Sequence, residues 1–399
     1  MNISIVGAFD RMNFGDILFP MVLTEYIRRA TYSDINIAYY GHAAADLTAY
    51  GGYRTRPIRE LLARRNKNGE NPVILAGGET LGASWNDVLY HLAGTIPRWQ
   101  KIAKSIGGEY MENYMIRKKL GCSNYFPYLF TPSDFNQNQP VIYNAVGGSS
   151  LTKRPDPFRK AVAKTLAQAT YISVRDKKTV EILANAGLPQ GMAHLTPDSA
   201  AVISSLFPAD QLEPYLSPEF CSISKSLKGK PYIAFQAGLN FAKDHVKTIA
   251  SEIMELSSKT GYAILLLPIG RAPGHEDQTI LEALARDLGT EAFLPKGNSI
   301  FDTLAFIANA ELFIGTSLHG AITSMAYSTP HISLTQRDPK VPAYLQTWAL
   351  PGHRECIEFP DIAKHGIRAL EIEKSALLRH SEYLSERAGE SLCRIIELL

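Results

Sequence analysis

The sequence contains few cysteines and no excess of charge of one sign. Its four cysteines are far apart and lack the spacing of metal ligands, so they indicate reduced thiols: Cys122, Cys221, Cys356 and Cys393. The 41 basic and 39 acidic side chains leave a formal net charge of +2. Nucleic-acid-binding proteins usually carry a strong basic excess on one face, so this balance argues against a nucleic-acid partner. An anionic ligand would have to be held by local positive groups.

Long hydrophobic runs and the dinucleotide-binding fingerprint are missing too. No stretch approaches the roughly 18 consecutive apolar residues of a membrane span, and residues 1–7 lack the basic segment of a signal peptide. We therefore expect a cytoplasmic protein without a transmembrane segment. The loop after the first predicted strand, residues 7–16, does not contain G-x-G-x-x-G. We predict neither a cofactor nor a metal site.

Short apolar runs alternate with helical patterns along most of the chain. The runs predict strands at 2–7, 35–40, 72–76, 141–146, 170–174, 193–196, 231–236, 262–267, 291–294, 311–315 and 331–334. Several are almost continuously hydrophobic, which is typical of parallel strands buried on both faces. Their alternation with helices indicates an α/β fold with doubly wound sheets.

A segment with three prolines divides the chain into two predicted lobes. This segment, 206–230, is the predicted linker between an N-terminal lobe, 1–205, and a C-terminal lobe, 231–350. Residues 351–399 have helical patterns whose packing partner the sequence leaves open. The aromatic-rich insertion 80–135 would either line an acceptor groove or cover the sheet edge as a helical layer.

The segment Gly315–Gly320 carries the most informative histidine. It follows a predicted strand and precedes a short helical pattern, with Thr316 or Ser317 as the candidate N-cap. Helix N-termini present free N–H groups to anions, and ligands of open α/β sheets bind beyond the carboxyl ends of strands. The imidazole of His319 could protonate such a ligand, because it titrates near working pH. The alternative is a capping turn whose histidine is structural.

Three further loops follow predicted strands. In the first, Asn13 and Asp16 are available as polar contacts, and Asp16 is either a catalytic group or the N-cap of a helix that begins near Ile17. The glycine-rich loops 76–82 and 147–150 permit close approach of a ligand to the backbone. A turn without a ligand would look the same.

Two arginines lie just after predicted strands. Arg175 would form a fork for a carboxylate or a phosphate, or would pair with Asp176 or Asp198. Arg271 offers a second positive group in the loop 268–277, beside acidic residues that also suit the first turn of a helix.

Taken in order, these loops resemble the polysaccharide pyruvyl transferase family. The matching segments are Asn13-x-Gly15-Asp16, Gly77-Gly78-Glu79, Ser173-Val174-Arg175-Asp176, Pro197-Asp198, Glu276-Asp277, Gly315-Thr316-Ser317-Leu318-His319-Gly320 and Asp338-Pro339-Lys340-Val341. The likeness extends from about residue 1 to 350, and the motifs are specific through their order, since each alone is weak. The chain departs from the family at Glu79, where a third glycine is common, and at Ser317, where some members have arginine.

The resemblance implies a two-lobed fold of the GT-B type, with the active cleft between two Rossmann-like lobes. It also implies transfer of a pyruvyl group from phosphoenolpyruvate to two hydroxyls of a sugar, as a cyclic ketal. The family's catalytic acid corresponds to His319, and Asp16 is the candidate base. The donor would contact Arg175, Arg271, Lys340, Thr316, Ser317, Leu318 and Gly320, and the acceptor side would include Asn13, Gly15, Gly78 and Glu79.

Two other functions stay open at this point. A GT-B glycosyltransferase would use the same turn for the diphosphate of a nucleotide sugar, and a non-catalytic scaffold would keep the fold without the chemistry. The acceptor would be a sugar or glycan, and the sequence defines neither its identity nor its lipid linkage. Whether the chain forms a homo-oligomer is equally open.

Overall fold

The computed structural model of the protein describes residues 1–31, 35–63, 71–93, 97–135, 139–271, 276–335 and 338–399. These residues form two mainly parallel sheets flanked by helices. None of the helices in the described ranges is long and apolar enough to cross a membrane.

The first sheet belongs to the N-terminal half of the chain. Its strands are Asn2–Val6 (β1), Asn36–Gly41 (β2), Ala45–Asp46 (β3), Arg54–Pro57 (β4), Val73–Leu75 (β5), Val141–Val146 (β6), Tyr171–Val174 (β7) and Ala193–Leu195 (β8). They lie in the order β3-β4-β2-β1-β5-β6-β7-β8, and only the edge pair of β3 and β4 is antiparallel. The order reverses direction at β1 and β5, which creates a crevice at their carboxyl ends.

The second sheet is parallel throughout. Its strands are Tyr232–Gln236 (β9), Ala263–Leu266 (β10), Ala292–Phe293 (β11), Leu312–Gly315 (β12), His331–Leu334 (β13) and Cys356–Ile357 (β14). They lie in the order β11-β10-β9-β12-β13-β14, so its order reverses between β9 and β12.

Helices connect most of the strands and cover both sheets. They are Phe14–Ala30 (α1), Ile58–Ala63 (α2), Trp85–Ala93 (α3), Arg98–Leu120 (α4), Asp156–Leu166 (α5), Lys177–Asn185 (α6), Ile203–Leu206 (α7), Pro218–Leu227 (α8), Leu239–Ala242 (α9), Val246–Thr260 (α10), Asp277–Leu288 (α11), Ile300–Ala308 (α12), Leu318–Ala326 (α13), Lys340–Trp348 (α14), Ile362–Leu370 (α15) and Lys374–Glu397 (α16). The predicted linker 206–230 contains α8 and two short 3₁₀ turns.

The predicted fold class is confirmed, and each predicted strand is present. The buried runs explain this agreement: β6 and β9 are buried along their whole length, as parallel strands between two helical layers should be. The sequence missed β3, β4 and β14. β3 and β14 are two-residue edge strands. β4 lies next to the edge and alternates exposed arginines with buried residues, so it lacks the apolar run of a central strand.

A continuous apolar core joins the two lobes, and α16 contributes to it. Helices α1, α12, α13 and α16 pack their buried faces together between the sheets. The Tyr26 hydroxyl donates to the Gly389 carbonyl at 3.3 Å, and Tyr171 and Ser391 hydroxyls lie 3.1 Å apart. The C-terminal helix therefore crosses back onto the N-terminal lobe, which the sequence had left open.

Candidate active site

A cavity of about 660 Å³ lies where the carboxyl ends of the two sheets face each other. Its wall is formed by the loops after β1, β5, β6 and β7 of the first sheet and after β9, β10, β12 and β13 of the second. The predicted site residues in the wall are Asn13, Asp16, Gly78, Glu79, Arg175, Thr316, Ser317, Leu318, His319 and Lys340. Open α/β sheets bind ligands at this edge.

The turn before α13 is held by a glutamine at the end of the neighbouring strand. The Gln236 side-chain carbonyl accepts the N–H groups of Thr316 at 3.0 Å and Ser317 at 2.9 Å. Ser317 is the N-cap of α13, because its hydroxyl accepts the Gly320 N–H at 3.2 Å. Of the two predicted N-cap candidates, Ser317 is therefore the correct one. The side chain at the end of β9 thus fixes the turn between β12 and α13, at the point where the strand order reverses.

The first N–H groups of α13 remain available to a ligand. Within the described residues, the backbone N–H groups of Leu318 and His319 make no hydrogen bond. Both residues line the cavity. Free N–H groups at a helix N-terminus, together with the positive end of the helix dipole, suit a phosphate or a carboxylate.

His319 is oriented by contacts from three sides. Its Nε2 atom lies 3.7 Å from Oδ2 of Asp198, which is fully buried. The Phe19 ring packs edge-on against the imidazole at 5.1 Å between centroids. A Cβ atom added to Gly15 would overlap the imidazole ring, so the glycine of the first loop allows this close approach. The side chain is 14% exposed and can reach the cavity.

Asp198 connects His319 to the buried Arg175. The Arg175 Nη1 atom donates to Asp198 at 2.9 Å, and Nη2 donates to Glu79 at 3.0 Å. Burial raises the pKa of Asp198, but the nearby His319 and Arg175 outweigh burial and hold that pKa below its ordinary value. Asp198 is therefore a carboxylate that can stabilise a positive charge on His319.

Arg175 thus lies in the cavity wall, but both of its terminal nitrogens already donate to carboxylates. Asp176 is not one of these partners, since its carboxylate caps α6 by accepting the Thr179 N–H at 2.7 Å. Burial disfavours the charge of Arg175, and the two carboxylate partners outweigh burial and keep its pKa above the ordinary value. Donor binding by Arg175 stays a prediction.

Glu79 has a structural role that explains why this chain has no third glycine in the loop. Besides Arg175, its carboxylate accepts the Ser150 N–H at 2.8 Å and the Ser149 hydroxyl at 3.1 Å. The two glycines before it adopt positive φ, 125° at Gly77 and 86° at Gly78, a conformation that L residues rarely adopt. The loop after β5 is thereby joined to the loop after β6.

The first loop differs from its sequence interpretation in one respect. Helix α1 begins at Phe14, and its N-cap is Asn13, whose side chain accepts the Gly15 N–H at 3.3 Å. The alternative reading of Asp16 as an N-cap near Ile17 is therefore wrong. Asp16 lies in the first turn of α1 and lines the cavity, where it can contact a ligand.

Lys340 and Arg271 have different positions relative to the cavity. Lys340 lines it and lies 3.3 Å from Asp338. Arg271 is not among the lining residues; its guanidinium donates to the Asn298 side chain at 2.5 Å. The structure therefore does not group Arg271 with the other predicted donor contacts. Residues 272–275 of that loop lie outside the described residues.

Three basic residues of the wall were not singled out from the sequence: Arg11, Lys153 and Arg154. Arg11 pairs with its neighbour Asp10 at 3.0 Å, and a contact between adjacent residues gives no sign of a site. Burial lowers the pKa of Arg11, but Tyr128 and the neighbouring carboxylates raise it overall, so Arg11 stays charged. Lys153 and Arg154 follow the glycine-rich loop 147–150. Their position after this loop is the sequence feature that could have identified them as part of the cavity wall.

Asp277 is a buried acid on the opposite wall. Its Oδ2 atom accepts hydrogen bonds from Gln236 at 2.9 Å and from the N–H groups of Ile269 at 3.1 Å and Gly270 at 2.8 Å. Burial raises the pKa of Asp277 to about 7 despite these donors. Through Gln236, this acid supports the turn that carries His319.

Metal ligation finds no support in the geometry of the described ranges. No group of three or more histidine, cysteine, aspartate or glutamate side chains there is arranged to hold a metal ion. The polar groups of the wall include ion pairs, the histidines His91 and His319, and helix N–H groups, which suit an anionic substrate.

A sequence model of the family described as polysaccharide pyruvyl transferase matches residues 13–338. The chain belongs to the polysaccharide pyruvyl transferase family. The match covers most of the residues that line the cavity, and it supports a transferase role in polysaccharide biosynthesis. None of the curated proteins matches the chain significantly.

Solved structures share the two-lobed fold at low sequence identity. The Anabaena protein HepE in complex with UDP-glucose has a TM-score of 0.57 and 10% identity over 100% of both chains. The UDP-GlcNAc 2-epimerase from Methanocaldococcus jannaschii has a TM-score of 0.54 and 15% identity over 93% of this chain and 92% of its own. The enzyme of the same name from Neisseria meningitidis has a TM-score of 0.53 and 10% identity over 99% and 100%. These similarities concern the GT-B-like fold alone.

Proposed function

We propose that this protein transfers the pyruvyl group of phosphoenolpyruvate onto two hydroxyls of a sugar or glycan, forming a cyclic ketal and releasing phosphate. The observation that carries the proposal is the position of His319. It lies in the cavity between the lobes, beside the free N–H groups of α13 and 3.7 Å from the buried carboxylate of Asp198. A cationic acid next to an anion-binding helix end suits a small substrate with a phosphate and a carboxylate.

The donor would be held by the α13 terminus together with the cations of the wall. Arg11 and Lys340 each lie beside a carboxylate, which avoids leaving buried charges unpaired while the cleft is empty of substrate. Arg175 would hold Asp198 in place beside His319 through its hydrogen bond, and would add a fixed positive charge near the donor. The phosphate and carboxylate of the donor would then form further ion pairs with Arg11 and Lys340.

In the proposed reaction, protonated His319 delivers its proton to the methylene carbon of phosphoenolpyruvate, and positive charge develops on the central carbon. One sugar hydroxyl attacks this carbon, the C–O bond to phosphate breaks, and the second hydroxyl closes the ketal. Of the two hydroxyl protons, one restores the protonated imidazole and the other leaves with the phosphate. Asp16 is the proposed group that first accepts a hydroxyl proton.

Phosphate release from phosphoenolpyruvate, measured against a panel of glycan acceptors, tests the proposal. The expected result is acceptor-dependent release of phosphate with a product heavier by one pyruvate less one water. Thermal protection gives an independent measurement, because a ligand that binds the native state raises the melting temperature. Phosphoenolpyruvate should protect the protein more than nucleoside diphosphates do.

Two other outcomes would overturn the proposal. Protection by nucleoside diphosphates and none by phosphoenolpyruvate would favour a nucleotide-sugar transferase, whose diphosphate would occupy the same helix terminus. Protection by neither ligand, with no phosphate release on any acceptor, would favour a scaffold of the same fold.

A further inference from the structure

Residues 98–120 form a helical hairpin that projects from the N-terminal lobe. Helix α4 is interrupted by non-helical backbone at Gly107 and Gly108, where φ of Gly108 is 60°. The Gln100 side-chain amide donates to the Glu112 carboxylate at 2.8 Å. In a straight helix these two residues would be roughly 18 Å apart. The chain therefore turns back at the two glycines, and the two halves of α4 pack side by side.

The outer face and the tip of this hairpin are apolar and exposed. Ile106 is 77% exposed and Tyr110 is 75% exposed, on either side of the glycine turn. Ile102 and Tyr114 continue the same surface at 57% and 45%. Large apolar side chains grouped at this exposure mark an interaction surface more often than isolated ones do.

The hairpin also carries an excess of basic side chains. Its 23 residues include six basic side chains and two acidic ones, against 41 and 39 in the whole chain. The rest of the chain therefore has more acidic than basic residues. One of the two acids, Glu112, is buried and bonded to Gln100. The surface of the hairpin is consequently cationic, although the second acid, Glu109, is exposed beside the glycine turn. Lys101 and Lys104 lie near the tip, and Arg98, Arg117, Lys118 and Lys119 lie towards the base.

We propose that this hairpin docks onto the surface of a membrane that contains anionic phospholipids. Isoleucine and tyrosine side chains insert favourably at the boundary between headgroups and acyl chains. The lysine and arginine side chains along the hairpin attract the phosphate groups of anionic lipids. The positive charge of the hairpin and the exposed apolar side chains at its tip together favour an anionic membrane over an uncharged apolar partner.

Docking would bring the cavity close to the membrane. The Gln100 amide also donates to Asn86 of α3 at 3.1 Å, and α3 contributes Asp87, Tyr90 and His91 to the cavity wall. A glycan anchored in the same membrane would therefore reach the cleft over a short distance. The inference goes beyond the proposed function, and membrane binding can be measured without any transfer reaction.

Sedimentation with vesicles tests the inference on the full-length protein. We expect binding to vesicles of phosphatidylcholine and phosphatidylglycerol, weaker binding to phosphatidylcholine alone, and a decrease at high salt. The double variant Ile106→Ser with Tyr110→Ser should bind at least about tenfold more weakly, because it removes two inserted apolar side chains. The matched control, Met254→Ser with Leu378→Ser, changes two exposed apolar residues elsewhere and should bind like the wild type.

Melting temperature and circular dichroism keep the comparison interpretable, since both double variants change exposed side chains and should fold normally. Equal binding of the wild type and the hairpin variant would overturn the inference. So would a wild type that fails to bind anionic vesicles. A wild-type dimer that the hairpin variant converts to monomers, without vesicle binding, would assign the hairpin to self-association and would also overturn it.

Discussion

Histidines lie at both ends of the second sheet, and their surroundings differ. His319 follows the carboxyl end of β12, where the cavity opens and Asp198 lies 3.7 Å away. His331 begins the adjacent strand β13 at the opposite end and is fully buried, with its ring 4.2 Å from that of His353. Within the described residues, neither ring nitrogen of His331 has a hydrogen-bond partner.

The two environments have opposite consequences for charge. Burial lowers the pKa of His331 well below its ordinary value, and the nearby His353 and His380 lower it further. Burial also lowers the pKa of His353 to about 4. A charge on His319 is stabilised by a carboxylate, whereas a charge in the buried group would be unpaired. From this comparison we expect catalysis at the carboxyl end of the sheet and pH-dependent stability at the other end.

The largest expected effect is that of His319→Ala. Removal of a general acid should lower acceptor-dependent phosphate release by about 10²–10⁴-fold, with the melting temperature near that of the wild type. His331→Leu is the matched variant at the other end of the sheet, and its turnover should stay close to normal. Near-normal turnover of His319→Ala would show that His319 is not the general acid.

Gly15→Ala should have the next largest effect on turnover. The added methyl group overlaps the imidazole of His319 and must displace it, and a displacement on the order of 1 Å can cost about 10²-fold in rate. The control is Gly389→Ala in α16, where the new methyl would meet Tyr26 at an ordinary contact distance of 3.6 Å. Unchanged turnover in Gly15→Ala would show that the position of the imidazole is not critical.

Acidification should destabilise the protein through the buried histidines. The pKa of these histidines is lower in the folded state, so the unfolded chain binds more protons below about pH 6.5. The free energy of unfolding therefore decreases as the pH decreases. The loss for His353 should continue down to about pH 4 and amount to about 1.4 kcal/mol per pH unit. Full stability from this source should return above pH 6.5.

Urea unfolding at several pH values measures this effect. His331→Leu removes one titrating group from the buried set and should flatten the dependence of unfolding free energy on pH. His245→Leu changes an exposed histidine and should leave the slope unchanged. Identical slopes in both variants and the wild type would contradict the assignment of stability to the buried set.

The smallest effect is expected for Arg271→Ala. Its guanidinium bonds to Asn298 away from the cavity, so the KM for phosphoenolpyruvate should stay within about twofold of the wild type. Lys340→Ala, which removes a cation from the wall, should raise that KM by more. A larger increase in this KM for Arg271→Ala than for Lys340→Ala would support the donor contact of Arg271 that the sequence suggested.

The sequence predicted the fold class and the group around His319 because both depend on local patterns. Buried parallel strands are continuous apolar runs, and a strand followed by a serine-capped helix places His319 at a ligand-binding edge. Arg175 was found by the same reasoning, but its two carboxylate partners were not both predicted, since Glu79 lies in a loop 96 positions away in the chain. Arg11 was missed because its contact with Asp10 is local and uninformative.

The alternation of strands and helices, the two-lobed fold and the family likeness of the loops could all be read from the sequence. Three features became visible in the folded chain alone: α16 crosses back onto the N-terminal lobe, Arg271 is not among the residues that line the cavity, and α4 turns back on itself. Local patterns reflect the burial of each element, which neighbouring residues largely dictate. Contacts between distant elements depend on how the lobes pack, and no single segment of the sequence contains that information.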